Sequence, residues 1–171
     1  MGMISNPKNP VIVQSDRSIL LEVDNLLFIE ARNALSRFAE LEKSPEHIHT
    51  YRLSPLSLWN AASLGFTKES VIADLERFTK YEIPQNIRFE IVEQMDRFGK
   101  LRLTADGSML RLESTDEYLM TEIWNNDQLR PHLDELVDNF TILIEPINRG
   151  FIKQALIKLG FPIEDIAGYT P

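Results

Sequence analysis

An α+β fold is predicted by three observations along the 171 residues. Short β-rich runs open the chain, and a further one lies near its end. Between them stand three consecutive helices, each with its own start and stop signal. An Asp-Gly turn then joins two alternating runs into a hairpin. Together these predict a small strand lobe (ββαβ, 10–53), a three-helix plus β-hairpin, winged-helix-like lobe (54–113), and a terminal strand–helix unit with a linker (114–171). Residues 1–9, MGMISNPKN, are expected to be a flexible polar leader.

The strand lobe begins with Pro10–Gln14 (PVIVQ) and Ser18–Val23 (SILLEV), separated by the polar turn Ser15-Asp16-Arg17. Two β-rich runs around a short polar turn make a hairpin. Asp24 or Asn25 can cap the next helix, whose apolar positions Leu27, Ala31, Ala34, Leu35, Phe38 and Leu41 follow the helical period. Ser44-Pro45 ends it, because proline cannot continue the hydrogen-bond ladder and disfavours helix in the residue before it. The alternating His47–Leu53 then reads as a third strand.

Ser54-Pro55 is a strong helix start, since serine accepts a bond from a free backbone N–H and proline suits the first turn. That helix runs to about Leu64 and stops at Gly65. Thr67 caps a second helix with Val71, Leu75 and Phe78 along one face. Pro84 opens a third, with Ile87, Ile91, Met95 and Phe98 in line and Gly99 at its close. KLRLT (100–104) and MLRLE (109–113) flank Ala105-Asp106-Gly107-Ser108, a good hairpin signal. Three helices followed by a hairpin is the order of a winged helix, with 85–98 as the reading helix. Beyond it, Thr115-Asp116-Glu117 starts a helix to about Asn125, and 127–138 reads as a broken helical stretch around Pro131. Phe140–Glu145 (FTILIE) is a strand, Asn148–Leu159 a helix, and FPIEDIAGYTP an extended tail.

Composition narrows the function. Eighteen basic residues against 26 acidic ones give a net charge of −8, the wrong balance for a domain whose main task is gripping a phosphate backbone. DNA affinity would have to come from a local patch. No cysteine is present, so disulfides, thiolate nucleophiles and Cys-ligated zinc are excluded. No apolar run approaches the length of a membrane span, and the amino terminus lacks a secretory signal, so a cytoplasmic protein without membrane contact is expected.

Catalytic patterns are missing. The Gly-Lys pair Gly99-Lys100 is followed by leucine, with Gln94 where a P-loop needs its first glycine. There is neither a dinucleotide fingerprint nor a nucleophile elbow. His47 and His49 share one side of a strand, but the other histidine, His132, lies far along the chain, short of the three or four ligands zinc requires. No catalytic residue and no metal ligand is assigned.

For nucleic acid, the third helix is a poor reader, because it carries Glu90, Glu93 and Asp96 against Arg88 and Arg97. The better basic candidates surround it: Arg77 and Lys80 before, and Lys100, Arg102 and Arg111 on the hairpin, where strand alternation can put the last three on one face. A merely solvated charged face is the competing reading, and the more common one. The segment HIHTYRLSPLSLWNA (47–61) reads as a strand-to-helix junction. Trp59, with the small Ala61 and Ala62 beside it, is expected to fill the seam between strand lobe and helical lobe, with Tyr51 and Arg52 as docking contacts at the junction.

Three blocks, NPVIVQSDRSILLEVDN, FAELEKSPEHIHTYRLSPLSLWNAASLG and KQALIKLGFPIEDIAGYTP, resemble the N-terminal region of bacterial-type helicases of the xeroderma pigmentosum group B (XPB) family, in the same order and over nearly all of 9–171. The resemblance implies an accessory domain preceding a superfamily 2 core of two RecA-like ATPase domains, which acts on double-stranded DNA in repair. ATP and magnesium would then belong to that core alone, beyond this chain's end, and none of the family's catalytic residues has a counterpart here. Implied partners are the protein's own helicase core, DNA near a fork, or a repair nuclease or other repair protein. The expectation is a non-catalytic domain that docks on core or partner and helps position DNA. The alternative is a winged helix that binds DNA directly through the basic hairpin.

Overall fold

The computed structural model describes residues 6–168. Its α+β class is as expected, and the chain divides into two compact units, Met1–Asp96 and Arg97–Pro171.

The first unit holds a four-stranded sheet of β1 (Val11–Val13), β2 (Ser18–Glu22), β3 (Glu40–Lys43) and β4 (Ile48–Arg52), in the order β1-β2-β4-β3 with all neighbours antiparallel. The first hairpin forms where the sequence places it, with Val11 opposite Leu21 and Val13 opposite Ile19. Around the sheet lie α1 (Phe28–Leu35), α2 (Pro55–Ser63), α3 (Lys68–Phe78) and α4 (Gln85–Arg97). Ser54 and Ser57 form a reciprocal capping box at the start of α2, and Thr67 and Ser70 form another at α3. Each box satisfies two backbone donors that the first helical turn leaves without partners.

Helix α1 is shorter than its apolar period suggests at both ends: it begins at Phe28 after Leu27, with no side-chain cap, and not at Asp24 or Asn25. The backbone turns after Leu35, burying Phe38 and Ala39, and Glu40–Lys43 leaves the helix to pair with β4 as an edge strand. Glu-Leu-Glu-Lys favours helix by propensity, but the free edge of β4 offers it a hydrogen-bond ladder, bulged between Leu41 and Lys43, and tertiary pairing prevails. The leader is also ordered from Asn6 onward. Asn6 donates its N–H to the Lys80 carbonyl at 2.8 Å, and the buried Asn9 amide donates to the carbonyls of Arg77 and Thr79 at 3.1 and 3.0 Å. Residues 1–5 lie outside the described residues.

The expected boundary at residue 53 is not where the chain divides. Ile19, Leu21, Tyr51 and Leu53 from the strands share one core with Leu58, Val71, Leu75, Ile87 and Ile91 from the helices. Neither a two-layer ββαβ sheet nor three short helices can cover its own apolar face, so each supplies the other's core.

The hairpin, β5 (Leu101–Asp106) and β6 (Met109–Glu113), belongs to the second unit and not to the three helices. It forms the middle of a five-stranded sheet, β7-β8-β6-β5-β9, so it is not the wing of a winged helix. Here β7 is Glu135–Asp138, β8 is Thr141–Ile144 and β9 is Ile163–Asp165. Asp106 pairs with Met109, leaving Gly107-Ser108 as the turn; Gly107 has φ +60°, a conformation that favours glycine there. One face of the sheet packs Leu101, Leu103, Leu110, Leu112, Ile142 and Ile144 against α5 (Glu117–Trp124) and α6 (Arg149–Lys158). Two expectations are corrected. The broken helical stretch is a 3₁₀ turn, Arg130–His132, followed by strand β7; the tail contains strand β9, parallel to β5 with Leu101 opposite Ile163.

Candidate functional site

The sheet of the second unit has an apolar face turned to its helices and a polar face opposite. Alternation decides which residues go where: with Leu101 and Leu103 buried, Arg102 and Thr104 point the other way, and with Leu110 and Leu112 buried, so do Arg111 and Glu113. Register then lines up Glu164, Arg102, Glu113 and Thr141 across four strands. Of Lys100, Arg102 and Arg111, which the sequence could place on one face, the register puts Arg102 and Arg111 together, while Lys100 precedes the strand.

Arg102, Glu113 and Thr141 of that row line an open groove of about 480 Å³, together with Gly99, Lys100, Ser114, Thr115 and Phe140. Gly99, at φ +89°, ends α4 and turns the chain into β5, which places Lys100 at the rim. Ser114 is fixed twice: its N–H donates to the Phe140 carbonyl, and its hydroxyl accepts from the Asp116 N–H, both at 3.1 Å. Asp116 in turn caps α5 by accepting from the N–H groups of Tyr118 and Leu119 at 3.1 Å. The Phe140 N–H donates to Asp138 Oδ1 at 2.8 Å, so its ring, 46% exposed, stands on a backbone pinned on both sides.

The electrostatics of this face are mostly self-contained. Arg102 Nε lies 3.5 Å from Glu164, while Arg111 bonds Glu113 at 2.9 Å and Asp106 at 3.4 Å. The hydrogen bond that Arg111 donates to Glu113, assisted by a second to Asp106, holds its guanidinium even more firmly protonated than usual. Lys100 makes no ion pair among the described residues.

The two remaining basic candidates are in the first unit. Arg77 bonds Glu30 at 2.9 Å and lies over the Phe78 ring, beside the Arg37–Asp74 pair. Lys80 is 9% exposed and bonds the Pro7 carbonyl at 2.7 Å and Glu22 at 3.0 Å, so its charge serves to anchor residues 6–9. Hence only Lys100 and Arg102 of the five cations line the groove. The groove's other members, Ser114, Thr115, Phe140 and Thr141, escaped the sequence reading because the pairing of β6 with β8 is what brings them to the hairpin.

The junction residues are placed as follows. Tyr51 is buried and opposes Ile19 and Leu41. Arg52 bonds Glu42 and the Asp16 carbonyl at 3.4 Å each, so it links β4 to β3 and to the first turn. Trp59 is 6% exposed, and its indole Nε1 has no acceptor among the described residues. His47 bonds Asp24 at 2.9 Å, His49 lies edge-on to Phe28, and His132 packs on Phe151. No cluster of three or more metal-ligating side chains occurs among the described residues. Among them, too, no helix is long and apolar enough to cross a membrane.

A half-buried ion cluster was not foreseen. Asp165 of β9 accepts from Arg149 at 2.6 and 2.9 Å, from Lys153 at 3.0 Å and from the Ala167 N–H at 3.2 Å. Burial works to raise its pKa, but Arg149, Lys153 and that N–H outweigh it and hold the carboxyl below the usual value. The cluster fastens β9 to α6.

Comparison with known proteins places the chain in a family. The chain is similar to the DNA 3'-5' helicase XPB of Mycobacterium tuberculosis, 44% identical over 162 residues, covering 94% of this chain and 30% of that protein. Its counterpart in Kineococcus radiotolerans is 43% identical, over 94% of this chain and 29% of that protein. The XPB helicase/translocase subunit of general transcription and DNA repair factor IIH in Enterocytozoon bieneusi is 29% identical, with 94% and 26% covered. The chain thus spans under a third of the length of these curated relatives. Residues 11–137 match the family described as helicase conserved C-terminal domain, and the chain belongs to that family.

Proposed function

We propose that this chain is a non-catalytic accessory domain of an XPB-type DNA helicase of DNA repair, N-terminal to the ATPase core, which docks on that core or on a partner such as a repair nuclease and helps position DNA. The alignment with XPB helicases over 94% of the chain carries the proposal. ATP and magnesium are then requirements of the core, and the protein works in the cytoplasm or on the nucleoid. Docking is favoured over gripping DNA because four of the five candidate cations are paired with carboxylates within their own unit. Paired surface charges have little left to offer a phosphate backbone.

Two measurements test this. The gene should encode Gly-x4-Gly-Lys-Ser/Thr after Pro171; a P-loop placed before Met1 instead would overturn the N-terminal position. The chain, mixed with the separately expressed remainder of the protein, should co-elute with it in gel filtration. Separate elution at micromolar concentration removes docking. The second reading, direct DNA binding through the hairpin, is supported by Lys100 and Arg102 lining one groove.

A further inference from the structure

Resting on the reading that this domain helps position DNA, we infer that the groove of the second unit receives single-stranded DNA, one nucleotide at a time, with a base against Phe140 and its phosphate on Lys100 and Arg102. The side chains there have complementary roles. Phe140 presents an exposed ring on a backbone held by Asp138 and Ser114, so little order has to be created when a base stacks on it. Lys100 brings an ammonium with no ion pair among the described residues. The Arg102 side chain is 52% exposed, and its contact with Glu164, at 3.5 Å, is long enough for a phosphate to compete with.

The groove's carboxylate, Glu113, is already engaged by Arg111 Nε at 2.9 Å and by the Thr104 hydroxyl at 3.3 Å, which reduces its repulsion of an anion. Hydroxyls of Ser114, Thr115 and Thr141 complete the lining as donors and acceptors for a sugar or base edge. A volume of about 480 Å³ lies within the usual range of small-ligand sites, so it suits a single nucleotide unit. Duplex DNA keeps its base faces stacked inside and offers Phe140 nothing to pack against, so the groove selects single strands. An acidic peptide could satisfy the two cations but brings no base to stack on Phe140.

The test uses the 171-residue chain and fluorescence polarisation with a labelled oligo-dT and a duplex of equal length. The single strand should bind more tightly than the duplex. Log affinity should fall with log salt at a slope of about −1, the signature of one or two phosphates. Phe140→Ala, at an exposed position, should weaken binding about tenfold. Lys100→Glu should weaken it and flatten the salt slope, while Lys158→Glu, a matched charge change outside the groove, should do neither. No binding at low salt, an equal preference for duplex, or wild-type affinity in Phe140→Ala would overturn the inference. If Phe140→Ala and Lys100→Glu instead disrupt co-elution with the helicase core and DNA binding is absent, the groove is a protein-docking surface. The inference then falls while the docking function stands; loss of co-elution by the unmutated chain would remove the function itself.

Discussion

Lys80 in the first unit and Lys100 in the second are alike in the sequence, each within a few residues of an arginine, and the two units use them in opposite ways. Lys80 is buried against the Pro7 carbonyl and Glu22, where it holds residues 6–9 in place. Lys100 stands at the rim of a groove, with no ion pair among the described residues. The contrast extends further. The first unit relies on apolar packing between sheet and helices and on two capping boxes. The second combines its apolar core with a half-buried ion cluster and leaves the other face of its sheet polar. A positive charge acquires a function only from the carboxylates that the fold places around it.

The largest expected effects test whether each unit depends on its own core. Leu75→Ala in the first unit and Leu112→Ala in the second should each cost about 2–5 kcal/mol, because both side chains are buried in their unit's core. Hydrogen exchange should show protection lost first in residues 6–96 for the former and in 97–168 for the latter. Equal loosening throughout in both variants would abolish the distinction between two cores.

Next comes the ion cluster. Asp165→Asn removes the negative charge that accepts from both Arg149 and Lys153, and should destabilise the second unit by about 2–3 kcal/mol in denaturant melts. The pH dependence has a definite sign. A carboxyl whose pKa is lowered on folding adds stability that is fully present above its unfolded value, about 3.9, and lost as pH falls through the folded one. Acid should therefore loosen residues 97–168 progressively below about pH 4, and Asp165→Asn should lack that component. Asp16 in the first unit is also held low, by hydrogen bonds from Ser18, but it sits on an exposed turn. An identical acid profile in wild type and Asp165→Asn would show that the cluster contributes no linkage.

A smaller effect belongs to the capping boxes: Ser54→Ala should cost about 1 kcal/mol in the first unit, measured by thermal melting. The smallest is Arg77→Gln. Its pair with Glu30 is exposed, so a change under about 0.5 kcal/mol is expected. A loss of 2 kcal/mol there would mean that the first unit, too, relies on ion pairs.

Helix starts were the most legible features, because the cap and the donors it satisfies are neighbours in the chain. Ser54, Thr67 and Asp116 each begin a helix where the sequence puts it. The two hairpins were legible for the same reason, since turn and flanking alternation are local. The burial of Trp59 followed from its place on an apolar helix face. Three edge strands were missed: Glu40–Lys43, Glu135–Asp138 and Ile163–Asp165. They are short and acidic, the kind of sequence that blunts a sheet edge, and nothing in their own composition demands extension.

By itself, then, the sequence determined the mixed α+β class, the placement of helices α2 to α6, and the family resemblance, because these rest on contacts within a few residues or on residue identity. Tertiary structure decided that the first strands and three helices form one unit, that the hairpin joins another sheet, and which cations remain available. The groove illustrates the reason. Arg102, Glu113 and Thr141 become neighbours only through strand register, and register is set by which faces of several distant segments must be buried together.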